Sequence, residues 1–204
     1  MVKNYFHGRK DEHIMLQLEG MKQLINFFRT ECGVYAYLTY GSLLGAVRNQ
    51  DVIGHDTDYD IAYMSKFSEP KDIHAEWREI CCKLIDNNML GKIWTKQGIF
   101  IHPTKDQLGD FSGQMHVQTP NRVIHIDVYT SFCKNGKYHL SFGIHGHLKR
   151  SDIVPFGKVT LRGIDFPAPK RPEAILKFMY GKDWMTPKEA YKYQGKRKKL
   201  WEYK

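Results

Sequence analysis

The stretch that decides the fold reads Tyr40-Gly41-Ser42-Leu43-Leu44-Gly45-Ala46-Val47-Arg48, and ten residues later the chain continues Asp58-Tyr59-Asp60-Ile61-Ala62. The segment before it, 34–40, is rich in aromatic and β-branched residues and is typical of a strand. Gly41 and Ser42 supply a small residue and a helix-capping hydroxyl, which predict a turn into a short helix from Leu43 to Arg48. The free N–H groups at the start of such a helix can hold an anion such as a phosphate.

The second part of this stretch carries two acids at strand spacing. If residues 58–63 form a strand, Asp58 and Asp60 lie on one face of it, with Cα atoms about 6.6 Å apart. Two such carboxylates repel each other unless a cation lies between them. Mg²⁺ prefers one or two carboxylates together with phosphate oxygens and water, so the pair suits a nucleotide-bound Mg²⁺. A solvated strand face is the alternative, and a D-x-D pair on its own favours it.

A third acid lies in an otherwise apolar strand pattern that runs from Arg122 to Tyr129. Alternation predicts one buried face, formed by Ile124, Ile126 and Val128, and places Asp127 on the other. An acid in such a strand is costly unless it is paired, solvated or bound to a metal. Asp127 is therefore a candidate third acid, with a strand-edge Asp facing water as the alternative.

Three separated blocks of the chain resemble the LicD/fukutin family of phosphotransferases, whose domain has the nucleotidyltransferase fold of DNA polymerase beta-like enzymes. The blocks are residues 41–62, the Ile-Asp-Val at 126–128, and the Tyr-Gly-x-x-Trp-x-x-Pro at 180–187. They cover the chain from about residue 34 to residue 187. One departure concerns the acids: many relatives read P-W-D-D-D-x-D where residues 54–60 read G-H-D-T-D-Y-D.

The resemblance implies an α/β (α+β) fold, in which a nucleotidyltransferase-like mixed β-sheet is flanked by helices and a C-terminal helical extension follows. Residues 1–187 would form the catalytic domain, and residues 188–204 a basic C-terminal helix or tail. It also implies a site. The catalytic and metal-binding residues would be Asp58, Asp60 and Asp127, holding Mg²⁺ or Mn²⁺, with Asp127 as a metal ligand or the general base. The residues that bind the donor phosphates would be Gly41, Ser42 and Arg48.

The activity that the resemblance implies is transfer of a substituted phosphate to a sugar hydroxyl of a cell-surface glycan or glycolipid. The cargo would be phosphocholine, glycerol phosphate or ribitol phosphate, taken from CDP-choline, CDP-glycerol or CDP-ribitol with release of CMP. An alternative on the same fold is a nucleotidyltransferase that adenylylates or otherwise nucleotidylates a small molecule and releases pyrophosphate. A basic nucleic-acid-binding module ranks last, because the basic residues concentrate in the tail while the centre is acidic.

Composition narrows the class of protein. Hydrophobic residues make up 42% and aromatic residues 13% of the 204-residue chain, which favours a globular fold. The net charge of +9 favours phosphate-rich partners or an anionic membrane surface. No apolar run reaches the roughly 20 residues of a membrane span, and the first residues lack a signal-peptide core. Four cysteines without zinc-type spacing favour a reducing compartment, so we expect a cytoplasmic protein whose basic tail can rest on the inner face of the membrane.

The remaining patterns predict further elements around the site. An amphipathic helix begins near Asp11, and a second runs from Lys71 to about Leu90 and ends at Gly91. Asn135-Gly136 predicts a type I′ hairpin turn. Three further predictions concern the last third of the chain: His139, His145 and His147 in a loop, a short helix from Pro172 that ends at Gly181, and a capping box at 186–189 that opens the basic tail helix.

Overall fold

The computed structural model describes residues 5–187 and Lys199. Within these residues the chain forms five α-helices and ten strands. The helices are α1 (Asp11–Thr30), α2 (Tyr40–Asn49), α3 (Pro70–Asp86), α4 (Arg150–Ile153) and α5 (Pro172–Tyr180). The strands are β1 (Tyr35–Leu38), β2 (Asp60–Met64), β3 (Leu90–Thr95), β4 (Gly98–Ile101), β5 (Phe111–Gln118), β6 (His125–Lys134), β7 (Lys137–Leu140), β8 (Ile144–Lys149), β9 (Gly157–Leu161) and β10 (Ile164–Ala168).

Eight of these strands form one mixed sheet whose main path runs β1-β2-β6-β5-β3-β4. Strands β2 and β6 are parallel, whereas β1 and β2, β5 and β6, β3 and β5, and β3 and β4 are antiparallel. The second half of β6 pairs with β7, which pairs in turn with β8, and β9 and β10 form a separate hairpin. The predicted mixed sheet flanked by helices is confirmed.

One face of the sheet is covered by α1 and α3. The apolar stripe of α1 is buried, and its Phe28 stacks on Tyr63 of β2 with ring centroids 5.8 Å apart. Trp77 of α3 is fully buried and stacks on Phe111 of β5 at 4.0 Å. These aromatic contacts fix both helices on the same side of the sheet and place the main core there.

The opposite face is covered over β1 and β2 and open over β5 and β3. Near β1, Tyr37 packs against Phe156 with ring centroids 4.8 Å apart, and α2 contacts α5 and β9. Along β5, Met115 and Val117 point into the core and are fully buried, whereas the intervening His116 is half-buried. Because alternate strand residues face opposite sides, this pattern marks the face of His116 as the solvent side.

The predicted boundaries around the deciding stretch are corrected in two places. The helix begins at Tyr40 and not at Leu43. The Leu43 N–H already donates to the Thr39 carbonyl oxygen, and this hydrogen bond forms the first helical turn. Strand β2 begins at Asp60, so Asp58 precedes the strand and does not share its pleat. The segment before β2 instead lies against the N-terminal 3₁₀ turn Phe6–Gly8. The Phe6 N–H of this turn donates a hydrogen bond to the Asp56 carbonyl oxygen.

Two further predictions were wrong and one was confirmed. Helix α3 ends at Asp86, and Gly91 lies inside β3, where a Cβ would meet His125 Nδ1 at 2.8 Å. The three histidines lie in β7 and β8 and not in a loop, since pairing with β6 extends the sheet past the hairpin. Asn135 and Gly136 both have positive φ, 51° and 72°, as the type I′ turn requires.

The predictions for the C-terminal part of the chain can be compared with the structure only as far as residue 187. Helix α5 ends before Gly181, which has φ 87°, as predicted. The remainder of the capping box and the basic tail fall outside the described residues, apart from Lys199, so the division at 187 stays a prediction. None of the helices in the described chain combines the length and the apolar character needed to cross a bilayer.

Candidate active site

The site begins where the first turn of α2 meets the start of β2. The Gly41 N–H donates to Asp60 Oδ2 at 3.2 Å, and the Asp60 N–H donates to Ser42 Oγ at 2.9 Å. Two hydrogen bonds thus join the Gly-Ser pair to this acid from both sides. Ser42 Oγ acts as the acceptor in its bond, so its own hydroxyl hydrogen stays available for a ligand oxygen.

Gly41 is a glycine because two carboxylates crowd its Cα. A Cβ at this position would lie 2.4 Å from Asp56 Oδ2 and 3.5 Å from Asp60 Oδ2. Real Cβ atoms do not approach an oxygen so closely, so a side chain here would displace Asp56. The helix start and the two acids therefore share one small volume.

The acids of this volume disfavour each other's charge. Burial raises the pKa of the Asp56 carboxyl to about 7, and a hydrogen bond and charge from Asp58 act in the same direction. Burial also raises the pKa of Asp60 well above its usual range, helped by the charges of Asp58, Asp127 and Asp56. The Gly41 N–H opposes that shift only in part. A cation would relieve this repulsion.

Asp127 joins the group from β6. It lies opposite Asp60 in the parallel register of β2 and β6, with its side chain 15% exposed. Its Oδ1 lies 2.6 Å from His116 Nε2, and its Oδ2 accepts hydrogen bonds from Gln114 Nε2 at 2.8 Å and from the Tyr129 hydroxyl at 3.3 Å. Both oxygens have fixed partners, which orient the carboxylate on the open face of the sheet.

A small pocket opens beside the helix start, with about 200 Å³ of empty space when the part open to solvent is included. Its lining consists of Phe6, Gly41, Ser42, Val52, Ile53, Asp56, Asp58, Tyr59 and Leu161. Asp58 is exposed, whereas Asp60 is buried and forms the inner edge of the acid group with Asp127. The predicted residues Gly41, Ser42, Asp58, Asp60 and Asp127 therefore lie together.

Arg48 is the exception among the predicted residues. It lies in the last turn of α2, about 9 Å along the helix axis from Ser42. Burial lowers its pKa, and the nearby Tyr180 acts in the opposite direction. Its Nε is buried and has no hydrogen-bond partner within the described chain. The structure therefore separates Arg48 from the acids and leaves one of its donors available.

The acid group fits a divalent cation of the magnesium type. Within residues 5–187 and Lys199, no Lys or Arg forms an ion pair with Asp58 or Asp60, and burial together with the charges of three neighbouring acids raises the pKa of Asp60. The same residues contain no group of three His, Cys, Asp or Glu side chains arranged to hold a metal by themselves. A metal here would take carboxylate oxygens and complete its shell with phosphate oxygens and water, which is the habit of Mg²⁺.

Sequence reasoning missed four residues of this site. Asp56 had a visible signal, since it continues the acidic spacing of Asp58 and Asp60 by one more step of two residues. His116, Gln114 and Tyr129 had none, because their contact with Asp127 depends on how β5 pairs with β6. In that register His116 lies opposite Asp127, and Gln114 opposite Tyr129.

Comparison with known proteins gives one match. A family model described as the LicD/FKTN/FKRP nucleotidyltransferase domain matches residues 33–171. This range contains the helix start and all four acids, together with the strands that carry them. A search of curated proteins finds no match to the chain.

Proposed function

We propose that this chain, which belongs to the LicD/FKTN/FKRP nucleotidyltransferase family, transfers a substituted phosphate from a CDP-linked donor to a sugar hydroxyl of a glycan or glycolipid. The membership indicates a transferase with phosphotransferase-like or nucleotidyltransferase-like activity on glycans. The finer proposal names the cargo, which is phosphocholine, glycerol phosphate or ribitol phosphate. CMP is the product that leaves.

One observation carries the proposal: Asp60 is joined to the first turn of α2 by hydrogen bonds with both Gly41 and Ser42. A helix start offers N–H groups and partial positive charge to phosphate oxygens. The acids offer oxygens to a cation. A pyrophosphate lying between them meets both kinds of group at once, as a nucleotide diphosphate donor requires.

A divalent cation, Mg²⁺ or Mn²⁺, would be held by Asp58 and Asp60, with Asp127 beside them, and would neutralise the charge of the pyrophosphate and of the leaving CMP. The fit rests on the repulsion between these acids and on the lack of a Lys or Arg ion pair at Asp58 or Asp60 within the described residues. Ser42 and the N–H groups of the first turn of α2 bind the phosphate oxygens. Arg48, in the last turn of α2, contributes positive charge to a part of the donor that extends away from the acids.

Asp127 is the group that we assign to the acceptor. The acceptor hydroxyl gives its proton to Asp127, and its oxygen forms a bond to the phosphorus of the cargo phosphate. The bond from this phosphorus to the bridging oxygen breaks, and its electron pair leaves with CMP. His116, Gln114 and Tyr129 hold the Asp127 carboxylate in one orientation, so the base does not need to be ordered during the reaction.

A screen of donors tests the proposal. The protein is incubated with Mg²⁺, mixed glycan acceptors and each of CDP-choline, CDP-glycerol and CDP-ribitol, and CMP is quantified. A parallel series replaces the donor with nucleoside triphosphates and quantifies pyrophosphate. We expect CMP and a phosphodiester product from one CDP-linked donor. Pyrophosphate together with a nucleotidylated product would assign the chain to the rival nucleotidyltransferase reaction.

The localisation proposal depends on the tail. A cytoplasmic enzyme with a glycolipid acceptor works at the inner face of the membrane, and each basic residue near an anionic surface contributes about 1 kcal/mol of attraction. The tail carries Lys192, Lys196, Arg197, Lys198 and Lys199. Flotation with vesicles that contain anionic lipid, compared between the full chain and a chain ending at residue 187, tests this contact.

A further inference from the structure

A row of ionisable side chains crosses the sheet from the acids outward. Asp60 lies opposite Asp127 in the pairing of β2 with β6, Asp127 opposite His116 on β5, and His116 opposite Lys92 on β3. Residues paired in this way on neighbouring strands project to the same face. At about 4.8 Å per strand, Lys92 stands about 10 Å from Asp127. The row is negative at one end and positive at the other.

The positive end of the row is accessible. Helix α3 covers the other face of the sheet, where Trp77 stacks on Phe111. On the open face Lys92 and Trp94 are half-buried, and the His116 side chain is 28% exposed. No helix or strand of the described chain covers these three residues, which we call the acceptor strip.

The acceptor strip combines aromatic rings with the ammonium group of Lys92. The Lys92 Nζ lies 5.2 Å from the Trp94 ring centroid, and the edge of that ring meets the His116 ring at 4.7 Å. Lys92 has no ion pair with an acid of the described chain.

The position of the strip indicates that it contacts the acceptor and not the donor. Gly41 and Ser42 lie on the β1 and β2 side of Asp60, whereas the strip lies on the β5 and β3 side of Asp127. In phosphoryl transfer the attacking and leaving oxygens are roughly in line on opposite sides of the phosphorus. A donor at the start of α2 therefore leaves the strip side to the molecule that attacks.

We propose that the acceptor strip of Lys92, Trp94 and His116 binds an anionic glycan acceptor, with a sugar ring packed on Trp94 and a phosphate or carboxylate group paired with Lys92. This inference rests on the proposed function. The anionic group lies beyond the ring that carries the reacting hydroxyl, because Lys92 is two strands away from Asp127. A nucleic acid fits less well, since its regular phosphates would continue onto Asp127 and Asp60.

Binding without any donor tests the strip. The probes are an oligomannose that carries mannose 6-phosphate, the same glycan after phosphatase treatment, and an oligogalacturonate. We expect wild type to bind at least one anionic probe about tenfold or more tightly than the neutral glycan. Lys92→Glu should abolish that preference. Lys92→Met, which keeps the aliphatic stem over Trp94, should lose it without changing the melting temperature.

Lys22→Glu is the matched control, because Lys22 is exposed on α1, which packs on the other face of the sheet. It should keep the preference of wild type. The phosphorylated and uronate probes show which anion the strip takes. Equal binding of neutral and anionic glycans, an unchanged preference in both Lys92 variants, or tighter Lys92-dependent binding of a single-stranded oligonucleotide would overturn the inference.

The two proposals can fail separately. Lys92-dependent binding of an anionic glycan without CMP release from any CDP-linked donor would keep the strip and remove the proposed reaction. Transfer of the substituted phosphate to neutral and anionic acceptors at equal rates, with Lys92→Met like wild type, would keep the reaction and remove the strip.

Discussion

Asp60 and Asp127 lie directly opposite each other on the parallel strands β2 and β6. The charge of Asp127 is one of the causes that raise the pKa of the buried Asp60, after burial itself and the charge of Asp58. Asp127 has His116 as a partner, whereas Asp60 has only the Gly41 N–H at its carboxylate within the described residues. Ionisation of Asp60 is disfavoured at this pair, so a cation that binds the ionised carboxylates would stabilise the folded protein.

The first prediction concerns the glycine that both acids touch. In Gly41→Ala the new Cβ meets Asp56 Oδ2 at 2.4 Å, so Asp56 must move and the acid group with it. We expect turnover to fall about a hundredfold, the scale of a 1 Å displacement in an active site. Alanine favours a helix over glycine, so the loss cannot come from a weakened α2. Gly8→Ala is the control, because nothing lies within 4 Å of a Cβ there. Equal activity in the two variants would contradict this assignment.

The second prediction concerns charge in the acid group. Asp60→Asn keeps an oxygen for the Gly41 N–H and removes a carboxyl whose ionised form is disfavoured by burial and by the neighbouring acids. In EDTA it should therefore melt at or above the temperature of wild type, yet turnover should fall roughly 100-fold or more because a cation ligand is lost. Asp58→Asn should lose activity in the same way. Asp165→Asn makes the same exchange on an exposed hairpin beside Thr160 and should leave activity unchanged. A lower melting temperature in Asp60→Asn, or full activity in EDTA, is the contrary result.

The third prediction concerns pH in the absence of metal. Burial, together with Asp58, raises the pKa of Asp56 from its ordinary 3.8 to about 7, so between these values the folded state holds a proton that the unfolded state releases. The free energy of unfolding should therefore fall as pH rises through this window, and should be insensitive to Asp56 above it. Denaturant titrations in EDTA should show a shallower fall for Asp56→Asn than for wild type. Identical slopes would mean that Asp56 ionises normally.

The fourth prediction concerns Arg48. Its guanidinium lies in the last turn of α2, where a donor group that extends along the helix would gain a charge-assisted hydrogen bond. Arg48→Ala should lower kcat/KM for the donor by roughly 10- to 100-fold. Arg48→Lys, which keeps the charge without the planar fork, should recover only part of it. Wild-type kcat/KM in Arg48→Ala would make Arg48 a structural residue of α2.

The local parts of this fold were predictable because short-range physics decides them. The stripes of α1 and α3, the Asn135-Gly136 turn and the stop at Gly181 each depend on residues a few positions apart. The end of α3 was not predictable. Its periodicity continues into Leu90, but Asn88 has φ 53°, which a helix does not allow, and Leu90 is buried as the first residue of β3.

The candidate site divides in the same way. Gly41, Ser42, Asp58 and Asp60 could be found because they are close in sequence and carry a motif. The residues that hold the Asp127 side chain could not be found from the sequence. The contact between His116 and Asp127 exists only once β5 and β6 have paired in one register. Asp58 was assigned to a strand from its spacing, whereas the 3₁₀ turn Phe6–Gly8 holds the chain before Asp60 away from the pleat.

The stoichiometry of products tests the central claim most directly. Wild type, Asp60→Asn and Asp127→Asn are incubated with Mg²⁺, a glycan acceptor and the CDP-linked donor that the screen selects, and CMP and phosphodiester are quantified by mass spectrometry. Wild type should form the two products one to one, and both variants, folded by circular dichroism, should form neither. Release of the phosphorylated cargo in place of CMP, with the nucleotidyl group on the acceptor, or phosphodiester formation at the wild-type rate in either variant, would contradict phosphotransfer by these acids.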